Sequence, residues 1–290
     1  MSGLSPYLRL LRPHQWVKNG FVFVGLIFSR GWEQPALVVQ VVLAAVAFSL
    51  AASCIYVFND LADRERDRQH PTKRHRPIAS GAVRVPQAVG LGALCLVAGL
   101  GLASQVSWGV FAVVAIYLLI NGAYSLGLKH VAVLDVFIIA AGFMLRILAG
   151  TLGVGIAPSA WLLLCGLMLT LFLGFAKRRA ELDALAGKAG SHRKVLNDYD
   201  PAMLDQFITI SAGAAIVSYS LYTVAPETVA LHGSRYLIYT VPFVVYGIFR
   251  YLFLLHRRGG GGDPAAELLR DKHLLVAFLG WLGAVVGLLA

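Results

Sequence analysis

Apolar runs close to 20 residues long recur from one end of this 290-residue chain to the other. That is the length a helix needs to cross the ~30 Å hydrocarbon core of a bilayer. Nine such runs stand out, at roughly 15–32, 35–59, 86–103, 107–127, 131–153, 159–177, 202–225, 235–256 and 273–290. The first is the weakest, because Arg12, Lys18 and Asn19 adjoin or enter it. Composition agrees with a membrane chain: 58% of residues are hydrophobic and 14% charged, against about 45–50% and about 25% in a soluble domain. These values argue against an ordinary soluble enzyme and a disordered chain. A transmembrane barrel would show short alternating segments instead of long apolar runs. The expected fold is therefore all-α, a polytopic membrane protein with nine transmembrane helices. It reads as a single transmembrane domain over residues 1–290, since the Gly259–Gly262 linker is too short to divide domains. No run reads as a cleavable signal peptide, because the first lacks a small-residue cleavage site.

A formal net charge of +10 could suggest a nucleic-acid binder. In a membrane chain the prior question is where the cations sit. With nine spans, 22 of the 25 Lys and Arg residues fall in the N-terminal segment and in the loops after the second, fourth, sixth and eighth spans. All of these lie on one side, and only Arg30, Arg146 and Arg235 lie elsewhere. The positive-inside rule makes that side cytoplasmic, with the N-terminus in and the C-terminus out, in a bacterial inner membrane. An even number of spans would break the pattern. The charge thus reads as topology, and no nucleic-acid partner is expected. Cys54, Cys95 and Cys165 stand singly in apolar runs and read as small buried hydrophobes. The eight histidines show no helical pairing, which argues against zinc or haem.

The strongest local signal is the stretch from Tyr56 through Asn59, Asp60, Asp63 and Asp67 at the end of the second span. At 100° per residue, Asp60 and Asp67 fall within about 20° of each other and Asp63 about 60° away. Tyr56 shares that sector. Three carboxylates on one helical face repel, and a divalent cation between them would remove the repulsion. Hard oxygen donors without His or Cys favour Mg²⁺. The bland alternative is a charged helix end paired with Arg64, Arg66 and Arg68. Directly after it comes a cationic loop with Lys73, Arg74, His75 and Arg76 before Pro77, Ser80 and Gly81. Metal plus cations suits a ligand with several phosphates; topogenic charge and anionic-lipid contact explain the loop equally well.

With these residues the chain resembles the UbiA superfamily of intramembrane prenyltransferases, over essentially its whole length. The resemblance implies nine helices around a central cavity, and a Mg²⁺–diphosphate site at its cytoplasmic mouth held by Asn59, Asp60, Asp63 and Asp67. One departure is informative. Prenyl-transferring members carry a second Asp-rich motif near the sixth helix's cytoplasmic end, where this chain reads Phe175-Ala176-Lys177-Arg178-Arg179-Ala180-Glu181-Leu182-Asp183. Lys or Arg in place of carboxylate plus metal still neutralises a phosphate. One metal pole and one cationic pole would suit 5-phosphoribosyl-1-diphosphate. Leu11-Arg12-Pro13-His14-Gln15-Trp16-Val17-Lys18-Asn19, Tyr124-Ser125 with Lys129 and Asp135, and Tyr219 with Tyr222 are similar to the decaprenyl-phosphate phosphoribosyltransferase branch.

The implied reaction moves 5-phosphoribose to a polyprenyl, decaprenyl-like phosphate and releases diphosphate, as in cell-wall arabinan precursor synthesis. Its partners would be both substrates and the membrane lipids, with a homo-oligomer left open. Gln15, Lys18, Tyr56, Lys73, Arg76, Tyr124, Lys129, Lys177 and Arg178 are the candidate phosphate-binding residues. A lipid phosphate is already mostly ionised at pH 7, so no general base is required. Two other readings remain: prenyl transfer to an aromatic or other lipophilic acceptor, and a transporter or lipid-binding protein. Arg146, inside the fifth span, is open between a functional charge and a structural pair. The resemblance makes Tyr199 and Asp205 candidate mouth residues, while helix capping explains the neighbouring Asp200 equally well.

Overall fold

The structure is a computed structural model describing residues 5–71, 73–185, 194–258, 262 and 264–289. Lys188, Arg193 and most of the Gly259–Gly262 linker lie outside the described residues. Among the described residues there is no strand. The helices are α1 (Pro6–Leu11), α2 (Val24–Phe28), α3 (Pro35–Ala62), α4 (Arg64–Gln69), α5 (Val85–Val106), α6 (Trp108–Leu126) and α7 (Leu134–Ala149). They continue with α8 (Ala160–Leu185), α9 (Pro201–Val224), α10 (Pro226–His232), α11 (Val241–Arg258), α12 (Pro264–Arg270) and α13 (Lys272–Leu289). Proline at the first or second helical position starts many of them, where its missing N–H costs nothing.

Eight helical stretches among the described residues are long and apolar enough to cross a membrane. They match the second to ninth expected spans. The chain is a multi-pass membrane protein. The first expected span differs in form: Pro13–Phe23 is wound as a 3₁₀ helix and runs into the short α2. Such a long 3₁₀ run is uncommon. At ~2.0 Å per 3₁₀ residue and ~1.5 Å per α residue, the lengths of the two pieces sum to about 30 Å. That is the thickness a ninth crossing has to cover.

Two compact units divide the chain. The first holds residues Met1–Lys129 and Leu145–Ala157. In its core, α3 presents Ala44, Ala47, Phe48 and Ala51, all fully buried, with Val110, Val114 and Tyr117 of α6. Small residues let α5 approach α3 closely. A Cβ built on Gly99 would stand 3.3 Å from the Ala47 carbonyl oxygen and the Ala51 nitrogen. The break between α5 and α6 is capped by Ser107, whose Oγ accepts from the Val110 amide at 2.9 Å.

The second unit holds residues His130–Met144 and Pro158–Ala290. Its core is built on α8 and α9, with Phe172, Phe175, Leu204, Ile208 and Ala212 joined by Tyr251 and Leu255 of α11. Gly174 faces Val136 so closely that a Cβ there would lie 2.6 Å from the valine Cγ1.

Candidate functional site

The carboxylate stretch straddles the junction of α3 and α4. Asp63 leaves helical geometry at φ −94°, ψ 5°, yet the hydrogen-bond ladder continues across it. The Asp63 amide donates to the Asn59 carbonyl at 2.9 Å, and the Asp67 amide to the Asp63 carbonyl at 2.8 Å. Helical phase therefore survives the kink, and Asp60 and Asp67 come out on one side as their spacing requires. Both are buried, at 2% and 3% exposure.

Their oxygens converge on one atom. Arg76 Nη1 donates to Asp60 Oδ1 at 3.1 Å and to Asp67 Oδ2 at 2.7 Å. Arg12 Nη2 reaches the same Asp60 Oδ1 at 2.6 Å, and its guanidinium lies 5.2 Å from the centre of the Tyr56 ring. Lys129 Nζ holds both oxygens of Asp63, at 3.1 and 3.3 Å. Arg12, Arg76 and Lys129 thus relieve the carboxylate repulsion that the sequence suggested a metal would relieve. Arg12 was not among the residues expected at the site. Its partner lies 48 positions away, and no local spacing announces it.

Arg76 is placed by the loop behind it. Ile78 is buried in a small core with Leu10, Val57, Val83 and Ala88. Arg68 Nε donates to the Ala79 carbonyl at 3.3 Å. Gly81 turns the chain at φ +79°, a conformation glycine adopts without strain. Lys73, Arg74 and His75 stay exposed on the turn before Arg76.

The 3₁₀ winding sorts the segment from His14 to Val22 into rows, because residues three apart eclipse. Trp16, Asn19 and Val22 form the inward row: Asn19 and Val22 are buried, Trp16 Nε1 donates to Ser53 Oγ at 3.0 Å, and Asn19 Nδ2 donates to Ser49 Oγ at 2.8 Å. Ser49 and Ser53 are one α3 turn apart, so two side chains staple the segment to α3. Gln15 and Lys18 share the neighbouring, half-buried row. The buried Arg146 completes the staple. Its Nε donates to Asn19 Oδ1 at 2.7 Å, its Nη2 to the Tyr117 hydroxyl at 3.2 Å, and it lies over the Tyr117 ring at 4.8 Å. These contacts support the structural reading of Arg146. Tyr124 sits half-buried near the end of α6.

In the second unit the anticipated cationic pole has a different character. Arg178 is 1% exposed. Its Nε donates to Asp135 Oδ2 and its Nη1 to Glu181 Oε2, each at 2.6 Å. A cation buried this deeply must be paired, and Arg178, expected as a phosphate ligand, lies in a buried ion pair. Arg179 likewise holds Asp183 and Asp205, and His256 Nε2 lies 3.3 Å from the same Asp205 oxygen. Glu181 and Asp183, the remnant of the second acidic motif, are thus bound to arginines of their own helix. Lys177 remains half-buried beside them.

Tyr199 completes the Asp135 network. Its hydroxyl donates to Asp135 Oδ1 at 2.7 Å and accepts from the Val133 amide at 2.6 Å. Burial, then the hydrogen bond to Asp135, pushes its pKa well above the usual phenol value, so the hydroxyl keeps the proton it donates. Val133 is held at φ +67°, a strained conformation for a β-branched residue.

Among the described residues no three His, Cys, Asp or Glu side chains stand together as a ready metal cage. Asp60 and Asp67 each direct an oxygen at one cationic nitrogen, Arg76 Nη1, and carboxylate oxygens are donors of the kind Mg²⁺ takes.

A family model described as the UbiA prenyltransferase family matches residues 20–279. A decaprenyl-phosphate phosphoribosyltransferase from Mycolicibacterium smegmatis is 35% identical over 97% of this chain and 92% of its own length. One from Corynebacterium glutamicum is 35% identical over 96% and 85%. Among solved structures, a UbiA homolog from Archaeoglobus fulgidus bound to DMAPP and Mg²⁺ shares the fold at TM-score 0.74, with 19% identity over 98% of this chain and 99% of that one. A likeness that spans nearly the whole chain, in sequence and in fold, settles the kinship: the chain belongs to the UbiA prenyltransferase family.

Proposed function

We propose that this protein transfers 5-phosphoribose from 5-phosphoribosyl-1-diphosphate to a polyprenyl, decaprenyl-like phosphate and releases diphosphate. The observation that carries the reading is the convergence of Asp60 and Asp67 on one cation, in a chain 35% identical along 97% of its length to decaprenyl-phosphate phosphoribosyltransferases. The positive-inside rule puts this face in the cytoplasm. A role in supplying a lipid-linked pentose for cell-wall arabinan follows from the same likeness.

Asn59, Asp60, Asp63 and Asp67 would hold Mg²⁺, which supplies charge neutralisation for the departing diphosphate. Arg12 and Arg76 hold Asp60 and Asp67 in place and lie where diphosphate oxygens would be met. An oxygen of the lipid phosphate attacks ribose C1. The bond from C1 to the diphosphate oxygen breaks, and its electron pair leaves with diphosphate. Because the attacking monoester is already ionised, no side chain has to remove a proton. Gln15, Lys18, Tyr56, Lys73, Tyr124 and Lys177 are the candidates for the two remaining phosphates, together with Lys129 and Arg178, which already hold carboxylates.

The other reading is prenyl transfer to an aromatic acceptor, and the family fold favours it as the runner-up. Purified protein separates the two. Diphosphate release from phosphoribosyl diphosphate that requires decaprenyl phosphate and Mg²⁺ supports the proposal. Turnover only with a prenyl diphosphate and an aromatic acid refutes it.

A further inference from the structure

A groove of 540 Å³ runs between α11 and α13 in the second unit, lined by Pro242, Phe243, Tyr246, Lys272, His273, Val276 and Ala277. Both helices are long and apolar enough to cross a membrane, so what lies alongside them is lipid. We propose that the groove is a binding site for an anionic phospholipid of the surrounding bilayer, with its phosphate at Lys272, His273 and Tyr246 and an acyl chain on Phe243, Val276 and Ala277. This site is separate from the transfer chemistry and does not depend on it.

The apolar floor exists because of Gly280. A Cβ there would stand 2.7 Å from Phe243 Cε1, so only glycine lets the ring lie against α13. Phe243 and Val276 are still 37% and 69% exposed, which leaves them as contact surface for a chain.

The polar end has the charge that a phosphate needs. Arg250 grips Asp271 with two hydrogen bonds, Nε to Oδ1 at 3.1 Å and Nη2 to Oδ2 at 2.8 Å. That pair neutralises Asp271, the residue before Lys272. Asp271 Oδ1 also accepts from the Leu274 amide at 3.0 Å, capping α13. Lys272 is the next residue, exposed at the mouth, and among the described residues it has no ion-pair partner. The Tyr246 hydroxyl and His273 Nδ1 lie 3.1 Å apart, which fixes the imidazole beside the lysine. A local net positive charge favours a phosphate without a compensating ammonium, that is, an anionic over a zwitterionic headgroup.

Native mass spectrometry of the detergent-purified full chain, given phosphatidylglycerol or phosphatidylcholine, tests this. The expected result is one retained phosphatidylglycerol per chain. Retention should drop about fivefold when Lys272→Gln and His273→Gln are combined, and should be lost in Val276→Trp, which fills the groove. Gel filtration checks that each variant stays folded. Equal retention in all three proteins, or equal retention of the two lipids, overturns the proposal. Displacement by equimolar decaprenyl phosphate would overturn it by assigning the groove to the acceptor. Loss of oligomeric mass without loss of lipid would overturn it by assigning the groove to a second copy of the chain.

Discussion

At the residue scale, the exposure of the cations separates the Asp60 cluster from the Arg178–Asp135 pair. Asp60 is 2% exposed but its arginine partners are about a quarter exposed, so the cluster reaches solvent. Arg178 and Asp135 are sealed at 1% and 0%. Asp60→Asn keeps the shape and removes the charge. Activity should fall by about 100-fold or more in protein that still elutes folded on gel filtration, and retained turnover would remove Asp60 from the metal site. Arg178→Met leaves Asp135 buried and unneutralised; it should destabilise the fold by about 3–5 kcal/mol, read as early unfolding in detergent. Lys177→Met should keep the fold and raise the KM for phosphoribosyl diphosphate. The Asp60–Asp67 pairing was legible in the sequence because helical periodicity carried it through the kink. The fates of Arg12 and Arg178 were not. Each pairs with a carboxylate more than 40 positions away, and residue type alone does not say whether a cation meets a phosphate or a neighbouring helix.

At the element scale, the departures from regular helix coincide with polar side chains. Eight spans follow from hydropathy, because length and apolar content fix them. The segment from Pro13 to Phe23 reads as a weak span in sequence because Lys18 and Asn19 interrupt it. The structure shows the use of that interruption: Asn19 and Trp16 are stapled to Ser49 and Ser53, leaving Gln15 and Lys18 in the adjacent row. A 3.6-residue template cannot reveal rows set by a period of three. The Arg250–Asp271 clasp ties α11 to the start of α13 and has a pH signature. Arg250 first, aided by the Leu274 amide, holds the Asp271 pKa down to about 2. A depressed carboxylate contributes stability that is complete above its ordinary value near ~3.9 and is lost as pH falls through the folded value. Wild type should therefore be more heat-stable than Asp271→Asn from neutral pH down to about pH 4, with the gap closing toward about pH 2. A gap that is constant down to pH 2 would contradict the assignment.

At the scale of the whole molecule, the +10 charge divides into two jobs. Part of it neutralises carboxylates inside the fold. We propose that the rest orients the chain and that the 3₁₀ segment and α2 together make a ninth crossing, which would put the two termini on opposite sides. A phosphatase reporter, active only outside the cytoplasm, should be active when fused after Leu289 and inactive when inserted at Arg74. Activity at both positions, or at neither, would break the nine-span topology. The family itself was legible from the Asn59-to-Asp67 spacing and the cationic loop after it, because those residues are local in sequence. The charge balance at the end of α8 was not, because it is assembled from α7, α8 and α9. In the reaction we propose, the phosphoribosyl group, and not a prenyl chain, is what moves. The most direct measurement follows two labels of phosphoribosyl diphosphate incubated with the purified protein, decaprenyl phosphate and Mg²⁺. Label in the ribose should pass into the organic phase with the lipid, and label in the diphosphate should stay in water. Ribose label that remains in water, or diphosphate label that enters the lipid, would contradict the account.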